Sequence, residues 1–404
     1  MRSVFLLGAA IMMAPISTMA AAKDAATGAV TTKLNYPKTK TVNVVDEQFG
    51  VKVADPYRWL EDDVRVNAEV ADWVKSQNAV TDAYLETLPG KKILANRMKK
   101  LFDYERFGLP EKAGGYYFFN KNDGLQNQSV LYVRKGLTGV DRVLLDPNGW
   151  AKDGATALDS WVPSQNGKLL AYAIQDGGSD WRTIKVLDTA TGKVLADEIK
   201  WAKFTNISWV GNEGFLYSRF AEPQEGAAFQ QLNYNQTVYY HKIGTPQSED
   251  KAIYATPDKP EYGHSAQVTH DGKWALITTS SGTDEKYELH VMPLGKNPTW
   301  KAQPLVKALE HDWGLIEGMG NKLWFTTNKN APKLKVVSVD LGAKAPVFTD
   351  VIPERAETLS RAQIVGNRMI LSYIKDAKSM ALMTNLEGQP VQEIQLNAIG
   401  TASG

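Results

Sequence analysis

Residues 166–188 read NGKLLAYAIQDGGSDWRTIKVLD, and the way that stretch is punctuated decides the fold. Asn166-Gly167 is a turn pair that tolerates the positive φ of a tight hairpin. Leu169–Ala173 is a short apolar run, 176–180 is polar and glycine-rich, and Thr183–Asp188 alternates polar with apolar side chains. Period-2 alternation between turns describes two antiparallel strands with one polar face, not a helix. The same phrase is written six times between residues 114 and 385. Its first strands are Tyr116–Phe119, Leu169–Ala173, Phe215–Ser218, Trp274–Thr278, Leu323–Thr327 and Met369–Tyr373. Their partners are Val130–Lys135, Thr183–Asp188, Thr237–Lys242, Glu288–Met292, Lys335–Asp340 and Met380–Asn385. Successive first strands start 53, 46, 59, 49 and 46 residues apart. Self-similarity at that period predicts a mainly β chain in which small sheets are arrayed, with a β-propeller of four-stranded blades as the leading case.

Composition narrows the chemistry. Net charge is +1, so no global field attracts nucleic acid or an anionic membrane, and neither is expected as a partner. With no cysteine there is no disulfide, thiol nucleophile or thiolate metal site. Arg2, the apolar run of residues 4–16 and the small residues after it read as an export signal over 1–22, too short for a permanent membrane anchor. The mature chain is therefore expected to be exported, periplasmic or secreted. Residues 23–35 read as a flexible lead-in. Residues 36–105 carry a helical segment in which Val66, Val70, Trp73, Val74, Gln77, Val80, Tyr84 and Leu88 fall mostly three or four apart, ended by Pro89-Gly90. That apolar face has no partner helix nearby in sequence. Residues 106–404 hold the array.

The array itself offers little catalytic chemistry. The nucleophile elbow G-x-S-x-G is absent: Gly177-Gly178-Ser179-Asp180-Trp181 lacks the closing glycine and precedes a strand, and Gly263-His264-Ser265 fails likewise. None of the five histidines (His241, His264, His270, His290 and His311) pairs with another at i, i+4, as a helical zinc site requires. No glycine-rich phosphate loop, basic aromatic stripe or calcium loop is present. From the residues alone this is a binding or covering module with no catalytic residue, no metal site and no cofactor expected.

Four local strings go beyond what the repeat requires. Asp55-Pro56-Tyr57-Arg58-Trp59-Leu60-Glu61-Asp62 opens the helical segment, Gly124–Tyr132 fills the first unit's hairpin, Leu145-Asp146-Pro147-Asn148 follows it, and Gly178–Val186 fills the second. In this order they resemble the prolyl oligopeptidase family of serine peptidases, from about Tyr36 to the C-terminus. The resemblance implies a seven-bladed propeller capping an α/β-hydrolase domain. It also implies cleavage of short proline-containing peptides on the carboxyl side of proline, and a helical segment that belongs spatially to the hydrolase domain. Four pocket positions carry over. Phe204 resembles the propeller aromatic that reaches the substrate pocket, and Asp180 the acid that braces a substrate-binding arginine. Gly263 and Thr283 stand where some members place larger pocket-lining side chains, which implies a roomier or more polar outer pocket. The family's Ser, Asp and His lie beyond the matched region. The expectation is therefore six of seven blades, an absent hydrolase domain, and a truncated chain that is inactive alone. The alternative is a stand-alone binding propeller descended from the family. A glycan-binding propeller would need exposed aromatic and acid pairs repeated in every blade, and no regular set is seen.

Overall fold

Each of the six quoted phrases forms the central hairpin of an antiparallel sheet. The structure, a computed structural model, describes residues 33–402 except 225, 226, 230, 297, 397 and 398. The expected export signal lies outside the described residues, as does most of the lead-in. The chain divides into two compact units, one ending at Asn96 and the other running from Arg97.

In the first unit the Phe49-Gly50 turn, with φ of 53° and 75°, closes a hairpin between Val45–Gln48 and Val51–Ala54. A 3-10 turn, Arg58–Glu61, follows; Arg58 pairs with both Asp55 and Asp46. Helix α1 is Ala68–Thr87, capped by Asn67, whose side chain accepts from the Val70 N–H at 3.1 Å. The sequence offers this face no partner helix, and within this unit its neighbour is extended chain. The extended stretch 36–40 lies along it: Trp73 Nε1 donates to Thr39 Oγ1 (3.1 Å), Gln77 Nε2 to the Pro37 carbonyl (3.0 Å), and the Tyr36 and Thr81 hydroxyls bond at 2.9 Å. Trp59 meets Trp73 edge-to-face at 6.4 Å. Only Val70 of α1 is buried, and Val66 remains 84% exposed. Helix α2, Lys91–Phe102, likewise leaves Ile93, Leu94, Met98 and Leu101 exposed.

The second unit holds six blades. The strands read first in the sequence prove to be the second strand of each blade. A strand precedes each of them: Ala157–Pro163, Ser208–Val210, Tyr262–Val268, Trp313–Met319 and Thr358–Val365 in the second to sixth blades, and two short pieces, Arg106–Phe107 and Glu111–Ala113, in the first. A fourth strand closes each sheet on its other edge: Arg142–Leu145, Val194–Ala202, Lys251–Tyr254, Gln303–Val306, Thr349–Ile352 and Pro390–Ile394. The last of these contains Val391 and Ile394. Ser208–Val210 contacts Tyr262–Val268, and Trp313–Met319 contacts Thr358–Val365, as first strands near the axis of a propeller do. Among the described residues ladders stay within blades with one exception. Ala202 pairs with Arg219, so the second and third blades share a continuous sheet.

Five buried clusters occupy the five junctions between consecutive blades. Leu170, Tyr172 and Leu187 of the second blade pack with Phe118, Leu131 and Val133 of the first. The alternate residues Ala171, Ala173, Ile184 and Val186 pack with Trp209, Phe215 and Tyr217 of the third. The pattern repeats for the later junctions. Strand period 2 thus sends successive side chains to opposite neighbours.

Phe325 is fully buried between the fourth and fifth blades, with the rings of Trp313 and Phe348 at 6.3 and 5.8 Å. Phe325→Ala is expected to cost about 3–5 kcal/mol, whereas truncating the half-exposed Phe204 should stay within about 1 kcal/mol. The shift in urea midpoint of the two variants checks this.

Candidate functional site

After Ala202 the chain must reverse within a few residues to begin the third blade at Ser208. It does so with two aromatic residues in the left-handed region, Trp201 at φ 61° and Phe204 at φ 51°. That conformation costs a bulky residue about 1–2 kcal/mol and persists only where neighbours enforce it. Gln236, 2% exposed, does the enforcing. Its Nε2 donates to the carbonyls of Lys203 (2.8 Å) and Phe204 (3.2 Å), and its Oε1 accepts from the His264 N–H (2.6 Å). One buried amide therefore ties the connector between two blades to the first strand of the fourth blade. The Phe204 ring is left 52% exposed, with Lys203 Nζ 5.1 Å from its centroid.

The ring stands at a cavity of about 540 Å³. Phe204, Phe220, Tyr262 and Tyr287 give it aromatic walls. Asn233, Gln236, Ser265, Thr278, Ser280 and Thr283 supply neutral polar groups; among the described residues of the lining Glu261 is the one acid, and none is lysine or arginine. Gly263 leaves that wall without a side chain, and there is little room for one: a Cβ there would come within 3.3 Å of Gln236 Oε1, closer than ordinary contact, and 4.0 Å of Ser280 Oγ. His264 is not a candidate base. It is 3% exposed, and its two ring nitrogens meet the hydroxyls of Thr279 (2.9 Å) and Thr256 (3.1 Å). Burial, with a smaller push from His290, lowers its pKa to about 4, so it is neutral at neutral pH. Among the described residues no serine hydroxyl bonds to a histidine ring.

Three of the four residues singled out in the sequence, Phe204, Gly263 and Thr283, thus line one cavity. Asp180 does not. It lies exposed on the turn before Trp181, whose indole meets Phe220 edge-on at 6.2 Å and donates Nε1 to the Ala228 carbonyl at 2.6 Å. Sequence reading missed Gln236, Phe220 and the two tyrosines, since nothing local marks a glutamine at a strand entrance as a three-way clamp.

The family model described as prolyl oligopeptidase, N-terminal beta-propeller domain, matches residues 36–404. The chain belongs to the prolyl oligopeptidase family. A prolyl endopeptidase of Elizabethkingia miricola is 37% identical over 372 residues, covering 92% of this chain and 52% of that protein. A solved structure from a study of inter-domain dynamics in two prolyl endopeptidases superposes with a TM-score of 0.71 at 49% identity, covering 91% of this chain and 53% of its own. Prolyl oligopeptidase B of Galerina marginata, solved bound to a 25mer macrocyclization substrate, gives a TM-score of 0.81 at 29% identity, covering 92% and 55%. The chain therefore spans about half the length of the curated relatives it matches.

The His264 environment sets a pH dependence. Unfolded, this side chain takes up a proton near 6.5, while folded it does so only near 4. Folding is thus favoured fully above pH 6.5 and weakens as pH falls toward 4, by about 3 kcal/mol from this group. His264→Gln should flatten that part of the profile, read as the difference between wild-type and variant urea midpoints at pH 7 and pH 4.5.

Proposed function

We propose that this chain is the propeller portion of an exported prolyl oligopeptidase-type serine endopeptidase, and that its role is to admit and position short proline-containing peptides for an α/β-hydrolase domain. What carries the reading is the convergence of Phe204, Gly263 and Thr283 on one aromatic-walled cavity, in a chain of this family. An aromatic ring held half-exposed by an enforced backbone conformation suits contact with an incoming apolar or prolyl side chain. The absence of side chains at Gly263 and Gly282 leaves the cavity of about 540 Å³ free for a side chain of the peptide. The apolar residues left exposed between Val66 and Leu101 support a reading in which the helical segment meets the hydrolase domain. In this reading the export signal over 1–22 directs the protein out of the cytoplasm. The 404-residue chain by itself binds peptide without cutting it.

Fluorescence anisotropy of a labelled proline-containing octapeptide tests this. Phe204→Ala should weaken binding about tenfold, the equivalent of about 1.4 kcal/mol. Gly263→Met should weaken it at least as much by filling the cavity. Equal affinity in all three proteins would sink the assignment of the cavity. Cleavage of the peptide by the purified chain, abolished by a serine-directed inhibitor, would sink the claim that it does not act alone.

A further inference from the structure

Both nitrogens of the His241 ring face carboxylates, deep inside the protein. His241 stands on the third strand of the third blade with its side chain wholly buried. Nδ1 lies 2.6 Å from Asp250 Oδ1, and Nε2 lies 3.0 Å from Asp197 Oδ1. Asp250, also wholly buried, follows the 3-10 turn Gln247–Glu249 of the third blade. Asp197, whose side chain is 2% exposed, comes from the outer strand of the second blade. Two local donors support the carboxylates: Tyr217 donates its hydroxyl to Asp250 Oδ2 at 2.6 Å, and the Gly244 N–H donates at 2.6 Å to Asp197 Oδ1, the oxygen that also faces the ring.

Proton counting decides the state of the ring. A neutral imidazole carries one N–H, so with a carboxylate at each nitrogen one lone pair would face another in a dry interior. Each contact needs a proton of its own, and the ring, more basic than either carboxylate, is the group that holds both. Burial alone would push the pKa of His241 down, but the hydrogen bonds to Asp250 and then Asp197 outweigh it and the net displacement is upward. The titratable groups facing it are Asp197 from the second blade and Asp250 from the third, with Tyr217 one bond further; its other close neighbour, the Phe215 ring at 5.3 Å, is uncharged. The same junction carries the shared ladder pair Ala202–Arg219. It also carries a reciprocal bond pair in which the Lys200 N–H donates to Gln247 Oε1 (3.0 Å) and Gln247 Nε2 to the Lys200 carbonyl (2.9 Å).

We propose that the Asp197–His241–Asp250 bridge is a proton-dependent latch between the second and third blades, closed while both ring nitrogens carry protons and released when one proton leaves. Because the folded state holds this proton more tightly than the unfolded chain does, the latch's contribution is complete below the unfolded pKa of 6.5 and is lost as pH rises through the higher folded value. Release acts close to the cavity. The Tyr217 strand runs on within three residues to Phe220, and the latched Asp197 strand runs on to Trp201 and the Phe204 turn. Alkaline conditions therefore loosen one wall of that cavity while leaving the fifth blade untouched.

Nitrogen-15 NMR of histidine-labelled chain and amide hydrogen exchange from pH 6 to 10, corrected for intrinsic rates, test the latch together. Both His241 nitrogens should show imidazolium shifts at pH 7.5. Above the folded pKa the opening constant of 194–202 and 237–242 should rise about tenfold per pH unit, while 335–340 in the fifth blade holds steady. His241→Gln should open the junction at every pH and remove the dependence. A single neutral tautomer at pH 7.5, or junction exchange that tracks the fifth blade through pH 10, overturns the proposal. Both readouts stand on the wild-type chain even if the variant misfolds.

Discussion

Every blade between the first and the last has to bury both of its faces, and no blade can do so alone. The second blade illustrates the constraint: Leu170, Tyr172 and Leu187 turn to one neighbour, while Ala171, Ala173, Ile184 and Val186 turn to the other. A strand covered on both sides becomes a near-continuous apolar run, as Leu169–Ile174 does, while its partner Arg182–Asp188 keeps a half-buried Lys185 paired with Glu198. The small residues Ala171 and Ala173 face the large rings of Trp209, Phe215 and Tyr217, so volume is shared across the junction rather than balanced within a blade. The fold is therefore specified pairwise, junction by junction, as in other stacked repeats.

That constraint explains which parts of the architecture are legible in the sequence. The central hairpins are: Val130–Lys135, Thr237–Lys242 and Lys335–Asp340 begin and end where alternation and turn residues place them. The edge strands are not. Tyr262–Val268 contains glycine, histidine, serine and glutamine, and Gln303–Val306 and Pro390–Ile394 contain prolines that a strand tolerates only at an edge. Such strands are defined by the partner they meet, not by a pattern of their own. The same holds for α1, whose covering segment 36–40 has no periodicity at all.

The cavity was half legible for a related reason. Phe204, Gly263 and Thr283 could be placed by family resemblance, because they touch what enters. Gln236 could not, because its importance lies in three bonds that join residues up to 33 positions away. Asp180, assigned through the same resemblance, is not in the lining, although the ring of its neighbour Trp181 meets Phe220, which is. A residue that acts through another leaves no local trace.

The single backbone ladder pair between Ala202 and Arg219 has a mechanical meaning. Side-chain packing resists sliding weakly and in any direction, whereas a main-chain ladder resists shear along the strand. Ala202 lies next to Trp201 and two residues before Phe204, so the turn that presents the aromatic leaves the second blade from a point where its backbone is tied to the third.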